Sequence, residues 1–158
     1  GLLLAWANRP TPPLPAGAKA DRVVVDKSER RLDLVAGGEV IASYRVSLGA
    51  APAGDKQREG DERTPEGTYT LDWRNPRSAF HLSLHVSYPE PAERAEAAAA
   101  GRDPGSMIMV HGLPNRAPFL GRLHLLADWT DGCIAVTNAE IEQIWAAVDD
   151  GTPIEIRP

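Results

Sequence analysis

Short runs of alternating apolar and polar residues, separated by turn formers, make up most of the chain from Asp21 onward. Arg22–Asp26, an all-valine run between charges, and Val40–Leu48 read as short strands, and Arg31–Val35 shows the period of two that sends successive side chains to opposite faces. Gly37-Gly38 separates the second run from the third, so the simplest reading is an antiparallel meander. From Gly49 to Gly67 the pattern vanishes into a polar stretch rich in Gly, Pro, Asp and Glu. A segment of that length without its own period predicts a surface loop, a candidate rim for a substrate cleft, with Asp61, Glu62 and Glu66 as its solvated edge. Alternation returns at Thr68–Asp72 and Phe80–Tyr88, where Pro89 and Pro91 end the run.

Two segments change to helical character. Pro91–Ala100 is Ala- and Glu-rich, with Pro at its start and Gly101 placed to stop it, but it has almost no large apolar side chain with which to pack. Asn138–Asp149 carries Ile141, Ile144, Trp145 and Val148 on one face, with Thr137 or Asn138 as the capping residue and Gly151 past the end. Between them, Ser106–His111 reads as a short apolar strand ending in His-Gly, and Leu113–Asp131 as irregular chain. Pro153–Arg157 closes the chain as a strand. The pattern predicts a mainly β fold with a few short helices (α+β), spanning residues 21–158 as one domain.

Residues 1–20 differ from the rest. Gly1–Ala7 is an apolar run far shorter than the roughly 20 residues that span a bilayer. It reads either as the end of a signal peptide or membrane anchor, or as a segment packed on the domain. The proline-rich Asn8–Gly17 reads as an extended tether. Composition then narrows the functional classes. The net charge of −5, with no basic cluster, argues against nucleic acid as a partner. One cysteine excludes an internal disulfide and any cysteine-based metal site. His81 and His85 share a face of one strand but have no clear third ligand, so neither a metal nor a cofactor is expected.

That one cysteine, Cys133, follows a glycine and opens a short apolar strand in Trp129-Thr-Asp-Gly-Cys-Ile-Ala-Val136. A glycine at 132 lets a substrate approach the backbone closely, and the turn's amides are candidate donors to a developing oxyanion. A thiol acting as nucleophile needs a base. Of His81, His85, His111 and His124, the preferred one is His111, at a strand end beside Gly112, with a connection to Cys133 long enough for the two strand ends to lie side by side. His124 reads as structural or supporting, Trp129 as a packing anchor with an edge role, and Asp128 and Asp131 as possible contacts for an ammonium group.

The segments Val46–Gly49, Gly54–Lys56, Gly60-Asp61, Arg63–Tyr69, Ser87–Pro89, Ile108–Gly112 and Thr130–Ile134 together resemble the L,D-transpeptidase (YkuD-like) catalytic domain, from about Asp21 to Arg157. The resemblance implies a β-sandwich or open barrel with the catalytic cysteine at a strand end in a cleft. It also implies a cysteine acyltransferase of the bacterial cell envelope, periplasmic or otherwise outside the cytoplasm, acting on peptidoglycan stem peptides and a target for carbapenems. By that resemblance Cys133 is the nucleophile, His111 the base, the Gly112 carbonyl the group orienting the imidazole, and the Gly132 and Cys133 amides the oxyanion hole. Thr130, Asp131, Trp129, Ala135 and His85 are the expected substrate contacts. Two positions depart from the usual family pattern: Asp131 stands where many members have His, and Ala135 where many have Arg or Asn. The alanine occurs in a branch that includes hydrolases of stem-peptide linkages, so hydrolysis by the same Cys/His pair is the alternative to transfer. A non-catalytic wall-binding module is the third.

Overall fold

The computed structural model describes residues 1–158. Eight strands, β1 (Arg22–Asp26), β2 (Arg31–Ala36), β3 (Glu39–Arg45), β4 (Gly67–Ser78), β5 (His81–Val86), β6 (Met109–His111), β7 (Ile134–Ala135) and β8 (Thr152–Arg157), form one sheet in the order β3-β2-β1-β8-β4-β5-β6-β7. The meander across Gly37-Gly38 is present, with β1 and β2, then β2 and β3, antiparallel. Strand β8 returns from the far end of the chain to pair parallel with β1 and antiparallel with β4.

The sheet curls until its edges nearly meet. Beyond β3, at one edge, the chain continues through Ser47, which bridges Ala135 in β7 at the other edge, and Gly49, which bridges Thr130. This is the mainly β, partly closed barrel that the sequence pattern and the family resemblance implied. The concave core holds Val23, Val25, Leu32, Leu34, Leu71, Leu84, Ile134, Ile154 and Ile156, together with Ile141 and Ile144 from α3 (Asn138–Ala147). Each such side chain taken from water contributes about 1.5–3 kcal/mol before entropy is counted. Helix α3 starts where its sequence requires: the Thr137 hydroxyl accepts from the Glu140 amide while the Glu140 carboxylate accepts from the Thr137 amide.

Several expected boundaries move, each for a local reason. Strand β3 stops at Arg45, because Val46–Leu48 turns inward to reach the opposite edge, with Val46 and Leu48 buried. Strand β4 runs past Asp72 to Ser78 through two register shifts, with Arg74 held by Asp150 and by the Trp145 and Val148 carbonyls. Strand β6 is confined to Met109–His111, and α3 ends at Ala147 with Val148 already extended. Part of the supposedly irregular Leu113–Asp131 forms a 3₁₀ stretch, Pro118–Leu126, kinked at Gly121. Helix α2 (Pro91–Ala99) buries only Ala97, as its small side chains dictate.

At the start of the chain, α1 (Leu2–Ala7) packs Ala7 against the 3₁₀ stretch, where Asn8 Nδ2 donates to the Phe119 carbonyl at 2.7 Å and Arg122 to the Trp6 carbonyl at 3.3 Å. The proline-rich stretch has no regular structure and lies along α3, with Gln143 Nε2 donating to the Pro12 carbonyl at 2.7 Å. No helix is long and apolar enough to cross a membrane.

Candidate active site

Parallel pairing of β6 with β7 sets Val110 beside Ile134 and His111 beside Ala135, so Cys133, one residue before β7, lies next to Met109. The Met109 amide donates to Cys133 Sγ at 3.4 Å, and the thiol donates to the Met107 carbonyl at 3.5 Å. Cys133 and His111 both line one cavity of about 580 Å³, whose walls also include Lys56, Glu59, Phe80, Met107, Trp129 and Asp131. The two residues are thus offset by two positions along neighbouring parallel strands, and both reach the same cavity.

His111 is buried, and its Nδ1 lies 2.7 Å from the Gly112 carbonyl. A carbonyl only accepts, so Nδ1 carries the proton and Nε2 presents a lone pair. Burial lowers the imidazole pKa to about 4 against the opposing Gly112 bond, and burial raises the Cys133 thiol to about 11. The Met109 amide and Lys56 oppose that rise, while Asp131 adds to it. At neutral pH the resting pair is thus neutral thiol and neutral imidazole.

The ring is held by aromatic packing. Phe80 stacks on His111 at 4.4 Å between centroids, and Trp129 lies 5.8 Å away at a steep angle. Trp129 Nε1 in turn donates to Nδ1 of buried His124 at 3.2 Å, and the Ser47 hydroxyl donates to the His124 carbonyl at 2.9 Å. His124 therefore carries its proton on Nε2, which finds no partner, and burial, with the nearby His111, lowers its pKa to about 4. This is the supporting role expected of it. Trp129 acts as both anchor and wall.

Other expected contacts change. The Gly132 amide donates to the Thr130 hydroxyl, which donates to the Cys133 carbonyl at 2.7 Å, so both groups shape the turn and the Gly132 amide is already spent, while Thr130 also lines the cavity. The Cys133 amide donates to no protein acceptor and is free to bond a ligand atom. Gly132 has φ +130, and a Cβ there would meet the Arg63 carbonyl oxygen at 2.7 Å, so only glycine fits where the loop crosses behind the cysteine. Ala135 is fully buried and its amide is tied to Ser47, which removes it from contact with substrate. His85 lies outside the cavity: its neighbours Leu84 and Val86 point to the core, so alternation turns it away, onto Trp73 and Asp72. Asp128 is clamped by Arg30 and the Leu48 amide and is structural. His81 meets Glu142 and His85 meets Asp72, so the two histidines serve separate pairs.

The polar loop supplies a residue that its composition concealed. Lys56 is buried in the cavity wall, with Nζ 2.8 Å from Asp61 Oδ1. Burial alone would raise the Asp61 carboxyl, but donation from Gln57, Lys56, Arg58 and Arg63 outweighs it and brings the pKa down to about 2. Asp61 is thus a fixed anion inside the loop. Phe80 was likewise unmarked, read only as the first residue of a strand.

The family model for the L,D-transpeptidase catalytic domain matches residues 20–156, and the chain belongs to that family. Escherichia coli (strain K12) YafK, assigned provisionally as an L,D-transpeptidase, is 31% identical over 134 residues, covering 80% of this chain and 46% of YafK. The chain thus spans about half the length of the curated relative it matches. Among solved structures, the helical cell shape determining protein Pgp2 of Campylobacter jejuni superimposes with a TM-score of 0.66 at 22% identity, over 98% of this chain and 54% of Pgp2. Bd1075 of Bdellovibrio bacteriovorus does so with a TM-score of 0.58 at 28% identity, over 85% of this chain and 46% of Bd1075. Fold and family together support an enzyme of L,D-transpeptidase type, a family that acts on peptidoglycan in the cell envelope.

Proposed function

We propose that this domain is a cysteine acyltransferase for peptidoglycan stem peptides, with Cys133 as nucleophile and His111 as base. The observation that carries the reading is the shared cavity, in which a thiol and an imidazole with a free Nε2 lie on adjacent parallel strands. His111 Nε2 takes the thiol proton as Sγ attacks the carbonyl that precedes the terminal D-residue. The Cys133 amide receives the developing oxyanion. Collapse breaks the C–N bond, the imidazolium returns its proton to the departing amine, and a thioester on Cys133 remains. An amine from a second stem then gives up a proton to His111, attacks the thioester and releases the thiol. Exposed Asp131 and Glu59 at the cavity favour approach of such an ammonium group.

Hydrolysis differs only in the resolving nucleophile, water in place of the amine. Ala135, where many members of the family carry Arg or Asn, is the departure that supports this second reading. The test is product analysis of a tetrapeptide stem incubated with and without an amine acceptor. Acceptor-bearing product supports transfer, free tripeptide in both reactions supports hydrolysis, and no release of the terminal D-residue contradicts both.

A further inference from the structure

We propose that Lys56 reads a carboxylate of the donor stem peptide through the one ammonium N–H that the protein leaves uncommitted. This rests on the stem-peptide reading above and assigns its specificity. Two buried lysines differ in how fully the protein matches them. Lys27 Nζ donates to the Gly54 carbonyl at 2.9 Å, the Thr64 carbonyl at 2.7 Å and Glu66 Oε2 at 3.0 Å, so all three of its N–H groups are matched. Lys56 Nζ donates only to Asp61 Oδ1 at 2.8 Å and the Arg58 carbonyl at 3.0 Å, although its side chain is just 3% exposed. A buried ammonium with a spare donor is unstable in isolation and gains from an anionic acceptor.

Its position makes that acceptor a ligand. Lys56 is the one lysine or arginine lining the cavity that holds Cys133 and His111. Beside it, Gly105 has φ +81, and a Cβ there would come within 3.1 Å of Lys56 Cε and 3.3 Å of Glu59 Cα. The missing side chain keeps the approach to the lysine stem clear. Asp61, ionised and held by three backbone amides, fixes the ammonium in place and prevents it from swinging to solvent. Of the stem's carboxylates, those on the two residues that flank the scissile bond come nearest Cys133: the end of the terminal D-residue and the far end of the diamino-acid side chain. Both present the same chemistry to Lys56.

Three synthetic tetrapeptides separate the sources: the free acid, the C-terminal carboxamide, and the peptide amidated on the diamino-acid side chain. Wild type is expected to process one of the two amides at least about tenfold less efficiently in kcat/KM than the free acid, the usual scale for losing a charge-assisted hydrogen bond in a sheltered site. Lys56→Gln is expected to lower kcat/KM on the free acid to near the amide value and to erase the acid-to-amide ratio, while Lys56→Arg restores part of it. A loss of folding or of loop order alone would lower all three rates together and leave the ratio unchanged. Should Lys56→Gln unfold because Asp61 is stranded, Lys56→Gln with Asp61→Asn removes both charges and carries the same expectation. Equal wild-type rates on all three peptides, or an unchanged ratio in the variant, overturn the assignment while leaving the stem-peptide reading intact. Failure of wild type on every peptide removes the substrate class and this inference with it.

Discussion

The two sides of this molecule are stabilised by different physics. The sheet centred on β1 and β8 buries aliphatic side chains, with Val23, Val25, Ile154 and Ile156 at or near zero exposure. The site side, built from Lys27, residues 46–66, Gly105–His111 and His124–Cys133, buries polar groups as well: Lys27, Lys56, Thr64, His111, His124 and Thr130. Apolar burial tolerates imprecise partners, because attraction scales with area. Buried donors and acceptors do not, because each left unmatched costs its desolvation. The difference separates a scaffold that defines shape from a polar frame that holds a thiol, an imidazole and an ammonium at fixed positions.

That contrast is testable in order of effect. Ile154→Ala, at the centre of the core, is expected to cost about 2–5 kcal/mol and to destabilise the whole domain, read from denaturant midpoints with backbone and Trp probes in coincidence. Separate transitions for the two probes would show that sheet and site unfold independently.

Next is acid. His111 and His124 protonate near 6.5 when unfolded but only near 4 when folded, so between those values the unfolded chain binds more protons. Their contribution is fully present above about pH 6.5 and is lost as pH falls toward 4. Thermal midpoints should therefore drop across that window, and His124→Gln should flatten the drop. A midpoint constant between pH 6.5 and 4 would contradict the buried neutral histidines.

Lys27→Met strands Glu66 and two carbonyls, with an expected loss of about 1–3 kcal/mol concentrated in the loop. Hydrogen exchange should rise in residues 50–66 more than in β1 and β8. A uniform rise would place the loop in the same cooperative unit as the core. The exposed pair Lys19–Asp149 completes the series: Lys19→Ala should change stability by only about 0–1 kcal/mol. A loss matching that of Lys27→Met would show that exposure does not grade these pairs.

The same division governs what could be read from the sequence. Alternation marks β2 and β8 because one face of each packs in the core, while β1 is marked by its run of three valines, all buried. The joining of His111 to Cys133 was legible because the His-Gly and Gly-Cys motifs each end or begin a strand. Lys56 and Asp61 were hidden, since a buried lysine in a polar loop has the same composition as an exposed one, and only the amides of Gln57, Arg58 and Arg63 make the burial tolerable. His85 was misplaced because a strand's alternation gives two faces without saying which one meets a cavity. Gly132 is needed for the close approach of the Arg63 carbonyl, where the sequence suggested that of a substrate, and its amide went to Thr130, a side-chain bond with no signature in spacing.

The central claim is that Cys133 is an acyl-accepting nucleophile served by His111. Its most direct test is the intact mass of wild type, Cys133→Ala and His111→Gln after exposure to a carbapenem, whose strained lactam carbonyl acylates an activated thiol. The account predicts a one-to-one adduct on wild type, none on Cys133→Ala, and an adduct formed at least about a hundredfold more slowly on His111→Gln, within the usual range for a general base. An adduct on Cys133→Ala, or wild-type rates in His111→Gln, would contradict it.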